Sequence, residues 1–419
     1  MVDKEYKQTD IGIVPQSWDV VKLEPNVGRV KSGKRLPQGY YVTGKRTSHP
    51  YLRVIDMNMG YVDTKNIMFV PDEAFPAIQN YCIFKDDIYI SVAGTLGLVG
   101  RIPEWLDGAN LTENANRITN IKCNIDFLMY WLMGDYIKNQ IDSTQTVGAQ
   151  PKLALQKIRE FLIPIPSKEE QSAIATALTD IDELIISLKK LIQKKKAIKQ
   201  GAMQELLTGK KRLPGFSEEW VKINMYNNSK VKARIGWQGL TKAEYLNEGY
   251  SYLVTGTDFE NGYINWNGCY FVTKERYLQD PNIQLLNGDI LITKDGTIGK
   301  IALVDGLEKP ATLNSGVFVV RPLNMAYNIR FLFYILSSDV FADFLDKLTA
   351  GSTIIHLYQK DLASFEFCAP PTVEEQGAIA SILYDMDIEI QKLEEKLRKY
   401  NKIKQGMMSE LLTGKIRFI

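Results

Sequence analysis

Two stretches of the chain carry apolar residues in alternating steps of four and three. In the first they are Ile174, Leu178, Ile181, Ile185, Leu188 and Ile192; in the second, Ile379, Leu383, Met386, Ile390, Leu393 and Leu397, continued by Tyr400. This spacing gathers every member onto one stripe of an α-helix, the seam of a coiled coil. Each stretch opens behind a proline with the S/T-x-x-E spacing of a capping box, Ser167 with Glu170 and Thr372 with Glu375. Each closes on Leu-Leu-Thr-Gly, and Gly209 and Gly414 suit a left-handed C-terminal cap. The pattern predicts two helices of about 40 residues, rods on the order of 60 Å at roughly 1.5 Å rise per residue. Gly201 and Gly406 fall inside them, where glycine costs about 1 kcal/mol relative to alanine. Their recurrence points to a close helix approach or a shared kink.

The two stretches are copies. Pro166 to Leu213 aligns without a gap on Pro371 to Phe418 at a constant offset of 205, with weaker echoes ahead of each copy: PQSW against SEEW, and AGTLG against DGTIG. A lone amphipathic rod leaves its stripe in water, so the seams are expected to zip against each other, antiparallel about a pseudo-two-fold axis, with Ile181 near Met386. The alternative is that each helix merely caps its own lobe.

The remaining segments follow another pattern. Short β-rich runs such as YLRVIDM, DDIYISVAG, GDILITKDGTIGKIALV and SGVFVVRP are separated by Gly, Asn, Asp and Pro turns. One helical stretch follows in each lobe, DFLMYWLMGDYIKNQI and IRFLFYILSSDVFADFL. The fold class is α+β: two globular lobes, 1–165 and 214–370, separated by two long antiparallel coiled-coil helices, 166–213 and 371–419, in an internal pseudo-two-fold repeat.

Composition narrows the functions open to such a chain. Its 419 residues are 45% apolar and 24% charged, proportions of a folded protein with real cores. The balance of 51 basic against 49 acidic residues gives +2, so a polyanion has to be met by local patches. The charged opening MVDKEYKQTD and the lack of a run of about eighteen apolar residues give neither a signal peptide nor a membrane span, and a cytoplasmic protein is expected. Cys82, Cys123, Cys269 and Cys368 are far apart and read as reduced thiols, not a zinc site or a disulfide framework. His49 and His356 are the only histidines and sit beside no Cys or carboxylate cluster. GTLGLVG and GTIGK lack the G-x-x-x-x-G-K-[ST] pattern and read as tight turns. No metal site and no catalytic constellation is expected.

Recognition surface is plentiful. Lys31, Lys34, Arg35, Gln38, Lys45, Arg46 and Arg53 cluster early in the first lobe, interleaved with Tyr40 and Tyr41; Lys230, Lys232, Arg234, Trp237, Gln238 and Lys242 cluster early in the second. Arg and Lys suit guanine edges and phosphates, and Gln suits adenine. Singly each reads as solvated surface; at corresponding places in both lobes they outline a shared DNA-facing edge. The basic runs Lys194 to Lys196 and Lys210 to Arg212 lie on the rods, where a solvated helix face is the plainer reading and a protein or phosphate contact the alternative.

TDIGIVPQSW, IPIPSKEEQSAIATALTDID, APPTVEEQGAIASILYDMD, the closing KQGAMQELLTGKKRLPGF and KQGMMSELLTGK, and GDILITKDGTIGK with ATLNSGVFVVRP together resemble the specificity subunit of type I restriction-modification systems, over essentially the whole chain. The first lobe departs from the pattern, offering DDIYISVAGTLG where the second has GDILITKDGTIG. Lys294, within that string, joins the candidate DNA contacts. The resemblance implies a non-catalytic subunit with two target-recognition domains, each reading one half of a bipartite site on double-stranded DNA. It implies helices that set the gap and dock two modification (methyltransferase) subunits, through which restriction subunits attach. It implies no cofactor on this chain, with S-adenosylmethionine, ATP and magnesium on the partner subunits, and no membrane. Unlike lobes imply an asymmetric target. The competing classes are a self-contained DNA methyltransferase or nuclease, and a helical protein-protein adaptor without a DNA role.

Overall fold

The computed structural model describes residues 6–143, 152–236, 239–323, 326–349 and 356–418. The elements that matter for function are, in the first lobe, β1 (Arg29–Ser32), β2 (Pro50–Leu52), β3 (Ile88–Ser91), β4 (Ala109–Leu111), β5 (Ala115–Thr119) and α1 (Ile125–Met133). The long helix α2 (Lys168–Leu206) follows. The second lobe supplies β6 (Ser229–Ala233), β7 (Ser251–Val254), β8 (Ile290–Thr293), β9 (Ala311–Leu313), β10 (Val317–Pro322) and α3 (Ile329–Leu336), before the second long helix α4 (Val373–Leu411). Both long helices are 39 residues. By packing, the chain divides into one compact unit of residues 1–189 with 395–419 and another of 190–394. These divisions fall inside the long helices and not at the lobe ends 165 and 370 that the repeat outlines, because each lobe packs on half of each helix.

In the first unit an antiparallel sheet runs β1, β5, β3 and Val99–Gly100. A second sheet runs Met68–Phe69, β2, β4 and Cys82–Ile83, with β2 and β4 parallel. The apolar run of β3 is explained by its place between two layers. Ile88 and Ile90 pack with Phe127, Leu128 and Trp131 of α1 and Ile174 and Leu178 of α2. Tyr89, between them, packs the other way, on Leu52 and Leu111 of the second sheet.

The second unit repeats the plan. Its larger sheet runs β6, β10, β8, Ile301–Leu303, Tyr263–Ile264 and Phe259–Glu260; its smaller one runs Tyr270–Val272, β7 and β9, with β7 and β9 parallel. Ile290 and Ile292 of β8 face Phe331 and Leu332 of α3 and Ile379 and Leu383 of α4. Leu291 faces Val254 and Leu313.

All six seam residues of α2, from Ile174 to Ile192, are buried; on α4, Ile379, Leu383 and Ile390 are buried and Met386, Leu393 and Leu397 half-buried. In the first unit Ile174 and Leu178 pack with Leu411 and Leu412, and Met407 and Met408 lie against the same core. In the second, Ile379 and Leu383 pack with Met203, Leu206 and Leu207. Each burial contributes roughly 1.5–3 kcal/mol, which is why the rods are helices in water at all.

The halves run antiparallel within each unit. Asp182 takes the Lys404 ammonium at 2.6 Å and the Tyr130 hydroxyl at 3.0 Å in the first. Asp387 takes Lys199 and, at 2.8 Å, the Tyr334 hydroxyl in the second. On this register position 181 lies across from about Gln405, in the first unit, whereas Met386 belongs to the second. The expectation that Ile181 faces Met386 is therefore corrected: a two-fold that relates equivalent residues in an antiparallel pair does not place them opposite one another, except at its axis.

The helix ends also differ from the expected box. Ser167 Oγ does accept the Glu170 N–H at 3.1 Å and Thr372 Oγ1 the Glu375 N–H at 3.4 Å. The glutamates do not turn back to the cap. Glu170, buried, accepts both Nε (2.8 Å) and Nη2 (2.9 Å) of Arg417 and the Trp18 indole N–H at 2.9 Å. Glu375 accepts Nε and Nη2 of Arg212 at 2.8 and 2.9 Å. Two parallel bonds from a guanidinium outweigh the single backbone N–H that the cap offers the carboxylate. The following glutamines hold the lobe helices: Gln171 Oε1 accepts the Asn124 N–H and Gln376 Oε1 that of Asn328, at the N-caps of α1 and α3.

Gly209 and Gly414 both take φ of +71°, as the left-handed cap requires. A Cβ on Gly201 or Gly406 meets nothing within 4 Å, so close approach explains neither.

Candidate nucleic-acid interface

Strand pairing gives an exact correspondence between the lobes. Lys31 of β1 lies opposite Arg117 of β5, which lies opposite Tyr89 of β3. Lys232 of β6 lies opposite Val319 of β10, which lies opposite Leu291 of β8. Lys31 therefore corresponds to Lys232, Arg29 to Lys230, and the buried Val30 to the buried Val231. β1 and β6 are edge strands of their sheets. The alternation Arg-Val-Lys and Lys-Val-Lys buries the valine in the core and turns both flanking cations to the other face. Arg29 is a cation that sequence reasoning passed over; the same period-two pattern marks it.

From each edge strand the chain crosses to the other sheet of its lobe through segments of equal length, 33–49 and 234–250. In the first, Lys34, Arg35, Lys45, Arg46, Tyr40 and Tyr41 are all exposed, as is Gln38. The Lys34 ammonium stands 4.9 Å from the Tyr81 ring centroid, and Arg35, 77% exposed, pairs with Glu113 at 3.3 Å. In the second, Lys242 is exposed and opens a short 3-10 turn, while Lys230 and Lys232 are half-buried. Trp237 and Gln238 lie outside the described residues.

Two of the candidate arginines are engaged by partners within their own lobe. Arg53 donates Nε and Nη2 to Asp56 at 2.9 and 2.6 Å and Nη2 to the Asn66 carbonyl at 2.8 Å. The Asp56 hydrogen bond pushes its pKa up and holds it as a brace of the 53–66 loop. Arg234 is 2% exposed, donating Nε to the Leu313 carbonyl at 2.7 Å and Nη2 to Thr312 Oγ1 at 3.2 Å. Burial pushes its pKa down. Arg234 presents no free fork to solvent and is withdrawn as a direct DNA contact, whereas Arg53, with its side chain 29% exposed, stays at the surface beside its Asp56 brace.

Lys294 is half-buried with its ammonium 5.6 Å from the Phe318 ring centroid. It begins the DGTIG turn, whose twin in the first lobe is AGTLG. Ser91 Oγ accepts the Leu98 N–H and donates to the Thr95 carbonyl; Thr293 Oγ1 accepts the Lys300 N–H and donates to the Thr297 carbonyl. Gly94, Gly97, Gly296 and Gly299 all have φ between +70° and +79°. These are tight turns closed by a hydroxyl, not phosphate cradles. In the second lobe the turn carries an exposed hydrogen bond between Asp295 Oδ1 and His356 Nδ1 at 2.6 Å. The equivalent backbone bridge in the first lobe joins Ala93 to Lys152.

Among the described residues no group of three His, Cys, Asp or Glu is placed to hold a metal ion, and no helix is long and apolar enough to cross a membrane. Burial pushes the thiols of Cys123 and Cys269 up to about 11 and about 12, so neither is a ready nucleophile near neutrality.

Two α+β recognition lobes built alike, each on antiparallel halves of a pair of long helices, define a class of sequence-reading scaffold. The family model described as type I restriction modification DNA specificity domain matches twice, over residues 15–200 and 209–405, and the chain belongs to this family. It is 26% identical over 438 residues to a putative type I restriction enzyme MjaX specificity subunit of Methanocaldococcus jannaschii, covering 99% of this chain and 97% of that protein. It is 21% identical to the type I restriction enzyme EcoBI specificity subunit of Escherichia coli, over 96% of this chain and 87% of the other. The crystal structure of a type I restriction-modification S subunit from M. genitalium matches with a TM-score of 0.60 at 18% identity, over 94% and 96% of the two chains. The chain is a specificity subunit, the non-catalytic DNA-recognition component of such a system.

Proposed function

We propose that each lobe reads one half of an asymmetric, bipartite site on double-stranded DNA, and that the long helices set the gap between the halves. The carrying observation is that the lobes share one strand framework while the segments 33–49 and 234–250 hung on it are chemically unlike. A common frame fixes where the reading edge stands; unlike side chains on it read unlike bases. The edge cations Arg29 and Lys31, Lys230 and Lys232 are suited to phosphate, as are Lys34, Arg35, Lys45, Arg46 and Lys242 of the crossover segments and Lys294 ahead of the DGTIG turn. Two half-sites on one face of B-DNA fall roughly 34–36 Å apart, a span suited to helices of 39 residues at about 1.5 Å rise each.

The helices also offer docking surface for modification subunits, two by the internal repeat, with restriction subunits attached through them. S-adenosylmethionine, ATP and magnesium belong on those partners, and the complex works in the cytoplasm. Exchanging residues 214–370 for another second lobe, followed by genome-wide mapping of methylated positions, is expected to change one half-site only; alteration of both halves refutes independent lobes. Adding residues in the Glu205 to Thr208 stretch is expected to lengthen the gap with both halves intact, and an unchanged gap refutes the helices as spacer.

A further inference from the structure

We propose that Arg234, buried with its guanidinium turned into the lobe, is a positioning residue for second-half-site recognition, anchoring the start of the reading segment 234–250 to the smaller sheet. The inference rests on the reading of that segment as DNA-facing.

The lobes solve the same closure differently. At position 33 the first lobe has glycine, and its chain lies directly against β5 and β4: the Gly33 N–H donates to the Ala115 carbonyl at 3.0 Å and the Lys34 N–H to the Leu111 carbonyl at 2.8 Å. A Cβ on Gly33 would collide with the backbone oxygens of Thr112 and Leu111. Arg234 occupies the corresponding place, one beyond the edge strand, and Leu313 corresponds to Leu111 through the parallel pairs Val254–Leu313 and Leu52–Leu111. The carbonyl that a backbone N–H satisfies in the first lobe is satisfied in the second by the Arg234 guanidinium. The segment is thus tied by a side chain, with its backbone standing off by that side chain's reach.

The arrangement is costly as a mere fastener. Arg234 Nη1 has no acceptor among the described residues, and burying an incompletely paired guanidinium disfavours the fold. A second tie follows a few residues on: Arg276 donates Nε to Glu244 at 2.6 Å and Nη2 to the Gly239 carbonyl at 3.3 Å, while Glu244 accepts the Thr241 N–H at 2.8 Å. Residues 234 and 239–244 are therefore held at two points from within the lobe, and Lys242 is displayed between Thr241 and Glu244. Such support fixes reading side chains to the sub-ångström tolerance that base contacts demand.

The test uses the full chain assembled with its modification subunits, on DNA duplexes carrying single-base changes in either half-site. Arg234→Met is expected to lower discrimination at the second half-site by about ten-fold, the size of one misplaced base contact, with first-half discrimination within two-fold of the parent and an unchanged salt slope. Arg234→Lys, which restores a donor to the Leu313 carbonyl, is expected to recover part of the loss. Should Arg234→Met not fold, Arg276→Gln, at the partly exposed second tie, is expected to give the same one-sided loss. Equal loss at both half-sites, or a folded Arg234→Met or Arg276→Gln variant with discrimination intact, overturns the proposal. If exchanging 214–370 in the parent changes no half-site, the underlying reading of the lobe fails instead, and the two failures are told apart.

Discussion

The lobes are most instructive where they use different residues for the same job. Asp87 and Asp289 hold equivalent places just ahead of β3 and β8, and both are buried. Asp87 is paired by Arg117 and Asp289 by Arg321, each at 2.6 Å, but the two arginines sit two positions apart along equivalent strands. Positions two apart share a face of a strand, so either places a guanidinium over the same carboxylate. With Gly33 against Arg234, this shows that the framework conserves the partner's requirement, a buried acceptor needing a donor, and leaves its supplier free.

The clasps at the helix starts give the largest test of that equivalence. Arg212→Ala strands Glu375, whose side chain is 1% exposed, without its partner; about 3–5 kcal/mol of stability should be lost. Arg417→Ala should cost less, because Glu170 keeps the Trp18 indole N–H, whereas the matching Trp220 Nε1 has no partner among the described residues. Denaturant midpoints of the two variants check the order, and equal losses would break the comparison.

A smaller effect is expected at the first lobe's closure. Gly33→Ala forces backbone apart and should destabilise by about 1–3 kcal/mol. Gly236→Ala, where a Cβ meets nothing within 4 Å, should be near neutral. Thermal unfolding of the pair measures whether close approach, and not glycine as such, is what the first lobe needs.

The smallest effects belong to the edge cations. Lys31→Ala and Lys232→Ala should each weaken binding of the assembled complex uniformly across DNA sequences and reduce the salt slope by about one. Titrations at several salt concentrations check this. A loss confined to one sequence would make either lysine a base reader and sharpen the division between edge strand and crossover segment.

Periodicity was enough to read the helices, their shared offset, their glycine caps and the two hydroxyl-closed turns, because each depends on residues within a few positions of one another. The sequence also grouped Lys31, Lys230 and Lys232 in matching clusters early in each lobe, although Arg29 went unnoticed beside Lys31; strand pairing alone put these cations on edge strands. Exposure was not legible in the same way. Arg53 and Arg234 look like their neighbours Lys45 and Lys232 in the sequence, yet Asp56 and the Leu313 carbonyl claim them.

What the sequence alone determined was therefore the repeat, the helical seams and the kind of surface each lobe displays, since these follow from local spacing and the burial of apolar stripes. Tertiary structure alone decided that Glu170 leaves its capping box for Arg417, that Glu375 does so for Arg212, and that Arg234 anchors a segment instead of facing solvent. In each case the partner lies tens to hundreds of residues away. A buried charge or carbonyl takes whichever donor folding brings to it.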